Sequence, residues 1–236
     1  MISFSPSEEQ QMMVNMVRQF TTAEVRKIYR ECDEDGQIPD HIIDTAWEMG
    51  FINSYLPQEH GGLGEEHSAI TGSLLAEELA WGDLSMAMHI LCPALVASPI
   101  LETGTDEQKN RYLPMFCQDK YQPATAALIE PLFNFDPGSL KTTARPDGND
   151  YIINGEKCYV PLAAEADILL VYASLDGESQ GFILEKGTPG LEIGEREKNM
   201  GIKALATHEL ALKDCRVPKD SLLGGETNHD FNRIMN

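Results

Sequence analysis

Positive charge is scarce in this sequence. Its 236 residues carry 18 Lys and Arg against 38 Asp and Glu, a formal net charge of -20. Nonspecific nucleic-acid binding needs a cationic surface that displaces counterions, so it is disfavoured. Adhesion to anionic membranes is disfavoured for the same reason, and the excess of acid serves solubility. The apolar runs read as shorter than the ~18 residues that span a bilayer, so no transmembrane helix is expected. The opening segment MISFSPSEEQ has no basic stretch leading into a long apolar core, so no secretory signal is expected. Cys32, Cys92, Cys117, Cys158 and Cys215 are odd in number, widely spaced and free of any CxxC pair. They read as reduced thiols of a cytoplasmic protein, not as a disulfide framework or a zinc site. The six histidines also lack metal-ligand spacing, so no metal is expected. There is no GxGxxG after a strand and no P-loop lysine motif, which removes support for a Rossmann or nucleoside-triphosphate site.

What is present divides in two. The first half reads as helices. Ser5-Pro6-Ser7-Glu8 offers an N-cap, a first-turn Pro and a Glu three residues after the cap, with Met13, Val17 and Phe20 following at helical spacing. Pro39 opens a helix whose apolar side is Ile42, Ile43, Ala46 and Met49, with Gly50 as its stop. Ala69 to Trp81 is another, and Asp83 caps a fourth that runs through Met86, Met88, Ile90 and Leu91. Thr105-Asp106-Glu107-Gln108 is a capping box ahead of Tyr112, Leu113 and Phe116. Such apolar faces are expected to pack on one another as a bundle.

From Tyr121-Gln122-Pro123 onward the pattern is that of strands. Thr125–Glu130 reads as one. Lys141–Arg145 and Tyr151–Val160 flank Pro146-Asp147-Gly148-Asn149-Asp150, a hairpin signal. Ile168–Ala173 is nearly continuous apolar sequence, as in a strand buried on both faces. Gly181–Glu185, Leu191–Ile193 and His208–Arg216 follow, each stopped by Pro or Gly. The expected fold is α+β: a helical bundle domain over residues 1–120, a β-barrel-like domain over 121–222, and over 223–236 the start of a helical segment cut short. A crevice between the two domains is the default ligand site.

Few residues here announce chemistry. His60 lies in Pro57-Gln58-Glu59-His60-Gly61-Gly62-Leu63-Gly64, which reads as a loop, with catalysis or ligation by His60 as the alternative and glycines for conformations closed to other residues. Glu59, Glu77, Glu78 and Glu130 are possible bases, but each reads better as a solvated or capping carboxylate, since a base needs reach and a tuned pKa. Met86, Met88 and Cys92 can line an acyl pocket or simply fill a helical core. Neither a Ser-His-Asp set nor any other catalytic residue can be assigned from spacing.

Several segments together carry a resemblance. They are Pro57-Gln58-Glu59-His60-Gly61-Gly62-Leu63-Gly64, Ile129-Glu130-Pro131, Tyr151-Ile152-Ile153-Asn154-Gly155-Glu156-Lys157, Thr188-Pro189-Gly190, Met200-Gly201 and Val217-Pro218. In order and spacing they resemble the acyl-CoA dehydrogenase family across nearly the whole chain. Glu31-Cys32-Asp33-Glu34-Asp35, Gly138–Thr143, Lys157-Cys158 and Phe231-Asn232-Arg233 look like the branch containing crotonobetainyl-CoA reductase. The resemblance implies a helical domain, a β-barrel-like domain and a C-terminal helical domain, of which this chain resembles the first two. It implies an oxidoreductase of fatty acid metabolism that removes hydrogens from the α and β carbons of an acyl-CoA thioester, with FAD as hydride acceptor and electron-transfer flavoprotein as redox partner. The family's glutamate base sits in the C-terminal domain, so the catalytic residue here is unknown and a homologous subunit, in a homo- or hetero-oligomer, is an expected partner.

The same resemblance puts Ala126, Leu128, Ile129, Phe135, Tyr159 and Pro161 at the cofactor, and Phe135, His89 and Cys92 at the substrate. Several of these depart from the family's pattern. Ile129 stands where Thr donates a hydroxyl hydrogen bond to flavin. Leu132, Phe133 and Phe135 are bulky where a Gly- and Ser-rich turn is usual. Tyr159-Val160-Pro161 replaces Trp-Ile-Thr/Ser, and Pro161 removes a hydroxyl and an N–H. Lys203 and Leu205 replace Arg and Ser, and Lys lacks the planar fork of Arg. These changes point to weakened or lost FAD binding, against which stands the persistence of backbone contacts that need no particular side chain. Three readings follow: a flavoprotein dehydrogenase or reductase, a non-catalytic subunit of a hetero-oligomeric dehydrogenase, and a plain CoA-thioester binding protein.

Overall fold

The computed structural model describes residues 5–66 and 68–226. Among these residues seven α-helices come first: α1 Glu8–Phe20, α2 Arg26–Asp35, α3 Asp40–Glu48, α4 Ala69–Gly82, α5 Leu84–Leu91, α6 Ala94–Thr103 and α7 Asp106–Tyr112. Seven strands follow: β1 Ala124–Ala127, β2 Thr143–Asp147, β3 Asp150–Pro161, β4 Ile168–Leu175, β5 Glu178–Glu185, β6 Leu191–Arg196 and β7 Thr207–Pro218. The α+β expectation is borne out.

Capping decides where the helices start. Ser7, not Ser5, caps α1, exchanging bonds with Gln10 in a capping box. Asp83 accepts the Met86 amide at 2.9 Å, and Thr105 pairs with Gln108 as expected. A π-helical turn at Thr21–Val25 joins α1 to α2. It packs against the end of α4, where a Cβ on Gly82 would lie 2.9 Å from Thr21. No sequence signature announces that turn or α2. Val17, Ile42, Ala46, Leu79 and Met86 form the core of this half.

Leu84–Thr103 corrects the expectation about apolar runs. It is 20 residues long with a mean hydropathy of 1.8, enough by length and composition to cross a membrane. Scattered Ser, His and Pro disguise the run, yet Leu84–Leu101 holds no charged residue. The segment turns at Cys92-Pro93 between α5 and α6, and most of it is buried inside the fold, as in a core helix pair.

The sheet runs β1-β4-β2-β3-β7-β6, with β5 on the other edge of β4. β1 and β2 pair with β4 in parallel, and the other ladders are antiparallel. β4 is buried along nearly its whole length, as its unbroken apolar sequence requires. The sheet curls until the chain just after β1 meets β3, where the Cys158 amide donates to the Ile129 carbonyl at 3.0 Å. That contact gives the barrel-like closure.

A second apolar cluster joins the two halves. Leu56, Val96, Ile100, Leu113 and Phe116 from the helices meet Ala124, Ile168, Leu170 and Ile183 from the sheet. The junction is therefore largely packed. Gln108 adds a polar lock: its amide donates to the Asp220 and Leu222 carbonyls at 2.9 and 2.8 Å and accepts from Gly224 N at 3.0 Å. Gly224 and Gly225 lie in turns, and the rest of the expected C-terminal helical start, residues 227–236, lies outside the described residues.

Candidate functional site

The closure of the sheet builds an exposed apolar platform. Opposite β7, Lys157 pairs with Leu210 and Val160 with His208, so Cys158 and Tyr159 together face Glu209 alone. This is a β-bulge, which unpairs residues and re-aims a side chain. The amides of the bulge find other acceptors. Cys158 N donates to Ile129 O, and Tyr159 N to Glu197 Oε1 at 3.2 Å. Tyr159 takes φ +53°, a left-handed backbone that costs roughly 1–2 kcal/mol for an L-residue. Tyr159 is left 57% exposed, and Ile129, whose carbonyl takes the neighbouring Cys158 amide, is 43% exposed.

Beneath this platform lies a buried ion pair. Lys157 and Glu130 are almost fully buried, with Nζ 3.0 Å from Oε1. Lys157 Nζ also donates to Leu128 O at 3.1 Å, while Glu130 accepts the Lys141 and Thr142 amides at 2.8 and 2.7 Å. Burial opposes ionisation of Glu130, but these hydrogen bonds outweigh it and hold the carboxyl below its ordinary value. Burial pulls the Lys157 ammonium down, against the opposing pull of Glu130. The chain from Leu128 to Glu130 is thus fastened to β3 at Lys157, just before the bulge, and at Cys158 within it. Glu130 is neither a solvated carboxylate nor a free base.

The other sequence-nominated residues fall around this centre. Ala126, Leu128 and Phe135 are half-buried against the cluster joining the two halves. Cys92 is 2% exposed, donates to Thr125 Oγ1 at 3.4 Å and packs with Leu162, the residue after Pro161. Burial pushes its thiol up to about 12. His89 lies one turn earlier, its ring 5.4 Å from that of Tyr121, whose hydroxyl donates to His89 O. The α5 end, β1 and the β3 end therefore converge. Met86 is core, whereas Met88 faces out.

Phe133 is fully exposed, so its ring blocks nothing, and Leu132 is also exposed. Of the carboxylates considered as bases, Glu78 is bound by Arg18, and Glu59 and Glu77 are on the surface away from the platform. His60 sits in a short 3₁₀ turn. The crevice expected between the halves does exist as an open cavity of about 610 Å³ lined by Thr105, Gln108, Arg111, Tyr112, Asn149 and Lys219. It contains none of the nominated residues.

Comparison with known proteins supplies the family. The model for "Acyl-CoA dehydrogenase, N-terminal domain" matches residues 7–120 and that for "Acyl-CoA dehydrogenase, middle domain" matches residues 125–215. This chain belongs to the acyl-CoA dehydrogenase family. Cyclohex-1-ene-1-carbonyl-CoA dehydrogenase of Geobacter metallireducens is 34% identical over 93% of this chain and 59% of its own length. The caffeyl-CoA reductase-Etf complex subunit CarC of Acetobacterium woodii is 31% identical over 97% of this chain and 61% of its own. Glutaryl-CoA dehydrogenase of Mycobacterium smegmatis in complex with FADH2 superposes with a TM-score of 0.83 at 26% identity, over 94% of this chain and 57% of that one. The chain thus spans less than two thirds of the length of these relatives.

Within this acyl-CoA dehydrogenase frame, sequence reasoning overlooked Lys157 and Glu197. Lys157 lay in view inside Gly155-Glu156-Lys157. Its signal was a lone cation in a strand otherwise rich in buried apolar residues, with an acid at Glu130 across the sheet. Glu197 sits in the charged run Glu195-Arg196-Glu197-Lys198 and has no distinguishing signal.

His89 carries a pH prediction. Burial lowers its pKa from 6.5 to about 4, with Asp40 opposing weakly. A depressed histidine stabilises the fold above its unfolded value, and that contribution is lost as pH falls from 6.5 toward 4. The loss is on the order of 2–3 kcal/mol. Urea titrations of the wild type and His89→Gln at several pH values should show a steeper fall over that window in the wild type. Parallel curves would contradict the assignment.

Proposed function

We propose that this chain supplies the helical and sheet portion of an FAD-dependent oxidoreductase acting on the α,β bond of an acyl-CoA thioester, completed by a C-terminal helical portion or a partner subunit. The observation that carries this is the Ile129–Tyr159 platform, two exposed apolar residues on backbone joined by the Cys158 N–Ile129 O bond next to a buried ion pair. Its fit to FAD rests on this structure. Tyr159 offers an aromatic face for a ring system, Ile129 extends that face, and β1 pairs with β4 alone in its ladder, which leaves backbone rather than side chains to meet the polar edge. When bound, FAD supplies the hydride acceptor. The chain's own residues bind and orient the ring and keep water from its covered face. In this reading Ala126, Leu128, Phe135 and Pro161 border the cofactor, and His89 and Cys92, at and just after the end of α5, are on the side of the acyl group. The base that takes the α proton comes from outside the described residues.

Supporting relatives include a CoA-ester reductase in an Etf complex, which agrees with electron-transfer flavoprotein as redox partner. A cytoplasmic location fits the acidic composition. A second reading, a non-catalytic subunit that has lost FAD binding, is favoured by one specific observation: neither Ile129 nor Pro161 has a side-chain donor. Absorbance spectra of the purified chain after incubation with FAD and gel filtration separate the two. Retained flavin bands are the expected result. A colourless chain that co-purifies with a full-length homologue would support the second reading instead.

A further inference from the structure

Tyr159 needs an explanation that the ion pair does not give. A residue at a regular β position alternates faces with its neighbours, and one extra residue in a strand shifts everything beyond it. The Cys158–Tyr159 bulge takes Tyr159 out of register with β7, and both of its amides are bonded away from β7. Cys158 N is taken by Ile129 O. Tyr159 N is taken by a side chain, Glu197 Oε1 at 3.2 Å.

Glu197 is itself anchored. Its own amide donates to Thr207 O at 2.8 Å, and Asn199 two residues on donates to Thr207 Oγ1 at 2.9 Å. Further along, Lys203 N donates to Asp33 Oδ1 at 2.8 Å, so α2 holds the far end of the same loop. Ile202 between them has φ +48°, unusual for a β-branched residue. The second carboxylate oxygen of Glu197, Oε2, is buried with no hydrogen-bond partner. A carboxylate whose one oxygen fixes a strained backbone while the other is buried and unused is unexpected for a residue in a solvated charged run.

We propose that Glu197 is a positioning residue: its carboxylate holds the Tyr159 bulge in its left-handed backbone and so keeps the Tyr159 ring presented on the platform. The proposal rests on the flavoprotein reading only for what the ring is presented to. Without the acceptor, the left-handed Tyr159 loses the bond that holds it, the strand relaxes toward regular pairing, and the ring leaves the outer face. Gln at 197 retains a carbonyl that can accept the same N–H, so it preserves the arrangement.

The test is 19F NMR of the full chain labelled with 3-fluorotyrosine, the Tyr159 signal being assigned by its loss in Tyr159→Phe. In Glu197→Ala the Tyr159 signal should move and the other tyrosine signals should stay, with Tm falling only slightly. In Glu197→Gln the signal should keep its wild-type position. FAD titrations on the same samples should show binding weakened up to about tenfold in Glu197→Ala, the loss of one ring contact. An unmoved Tyr159 signal in Glu197→Ala would overturn the proposal, whatever FAD does. So would equal displacement in Ala and Gln variants. A moved signal in a chain whose wild type takes up no FAD would uphold the positioning role and remove the flavin reading instead.

Discussion

Glu130→Leu is expected to destabilise the chain by about 3–5 kcal/mol, since removing one member of a buried ion pair strands the other. The variant leaves Lys157 with only the Leu128 carbonyl and leaves the Lys141 and Thr142 amides without acceptors. Lys157 can shed its proton to escape the burial cost, which caps the loss. Lys157→Met should cost less, roughly 1–3 kcal/mol, because Glu130 keeps both amide donors. The double variant should cost less than the sum by at least about 1 kcal/mol, as expected for directly coupled residues. Equilibrium urea unfolding of the set measures all of this. In a chain of this size, the Glu130→Leu loss corresponds to a Tm drop of roughly 6–20 °C. A change within about 0.5 kcal/mol is what surface positions show, and it would mean the pair is solvated.

The same site sets an acid limit. A carboxyl held below its ordinary value of 4.5 stabilises the fold fully above that value, and the contribution is lost as pH falls through the lower folded value. Wild-type stability should therefore drop below pH 4.5, and Glu130→Gln should flatten that drop.

Gly62→Ala is expected to cost at least about 3–4 kcal/mol, among the largest single-residue effects and of steric origin. A Cβ there would stand 2.1 Å from Leu56 O and 2.5 Å from Leu56 C, both backbone atoms. The turn cannot retreat, because Gly62 N donates to Pro57 O, Leu63 N to Asn53 O and Gly64 N to Leu56 O. Gly61→Ala is the control. Its φ is +94° and its added Cβ would meet only the Cys117 side chain at 3.3 Å, so a loss near 1–2 kcal/mol follows from the backbone alone. Thermal melts showing Gly62→Ala no worse than Gly61→Ala would refute the steric account.

These two sites show what was legible in the sequence. The Pro57–Gly64 loop could be read as a loop that needs glycine, although only coordinates reveal that Gly62 is required by close approach and Gly61 by conformation. Asp83 and Thr105 were legible as caps because capping is local chemistry. The Thr21–Val25 π turn was not, because its cause is packing against Gly82, 57 or more residues away in sequence. Strands β3, β4 and β7 were legible from their apolar runs and turn residues. The platform was legible only through family resemblance, as Ile129 and Tyr159. What holds it, Lys157, Glu130 and Glu197, is long-range: each acts on backbone that propensity and periodicity cannot place beside it.

In the proposed reading Tyr159, aimed outward by a bulge next to a buried ion pair, forms the face on which FAD settles. The most direct test is an equilibrium titration of FAD into the wild-type chain and Tyr159→Ala, followed by flavin fluorescence. Saturable binding by the wild type, weakened up to about tenfold in Tyr159→Ala, is the predicted result. Saturable binding that is identical in both chains, or none in either, would contradict it.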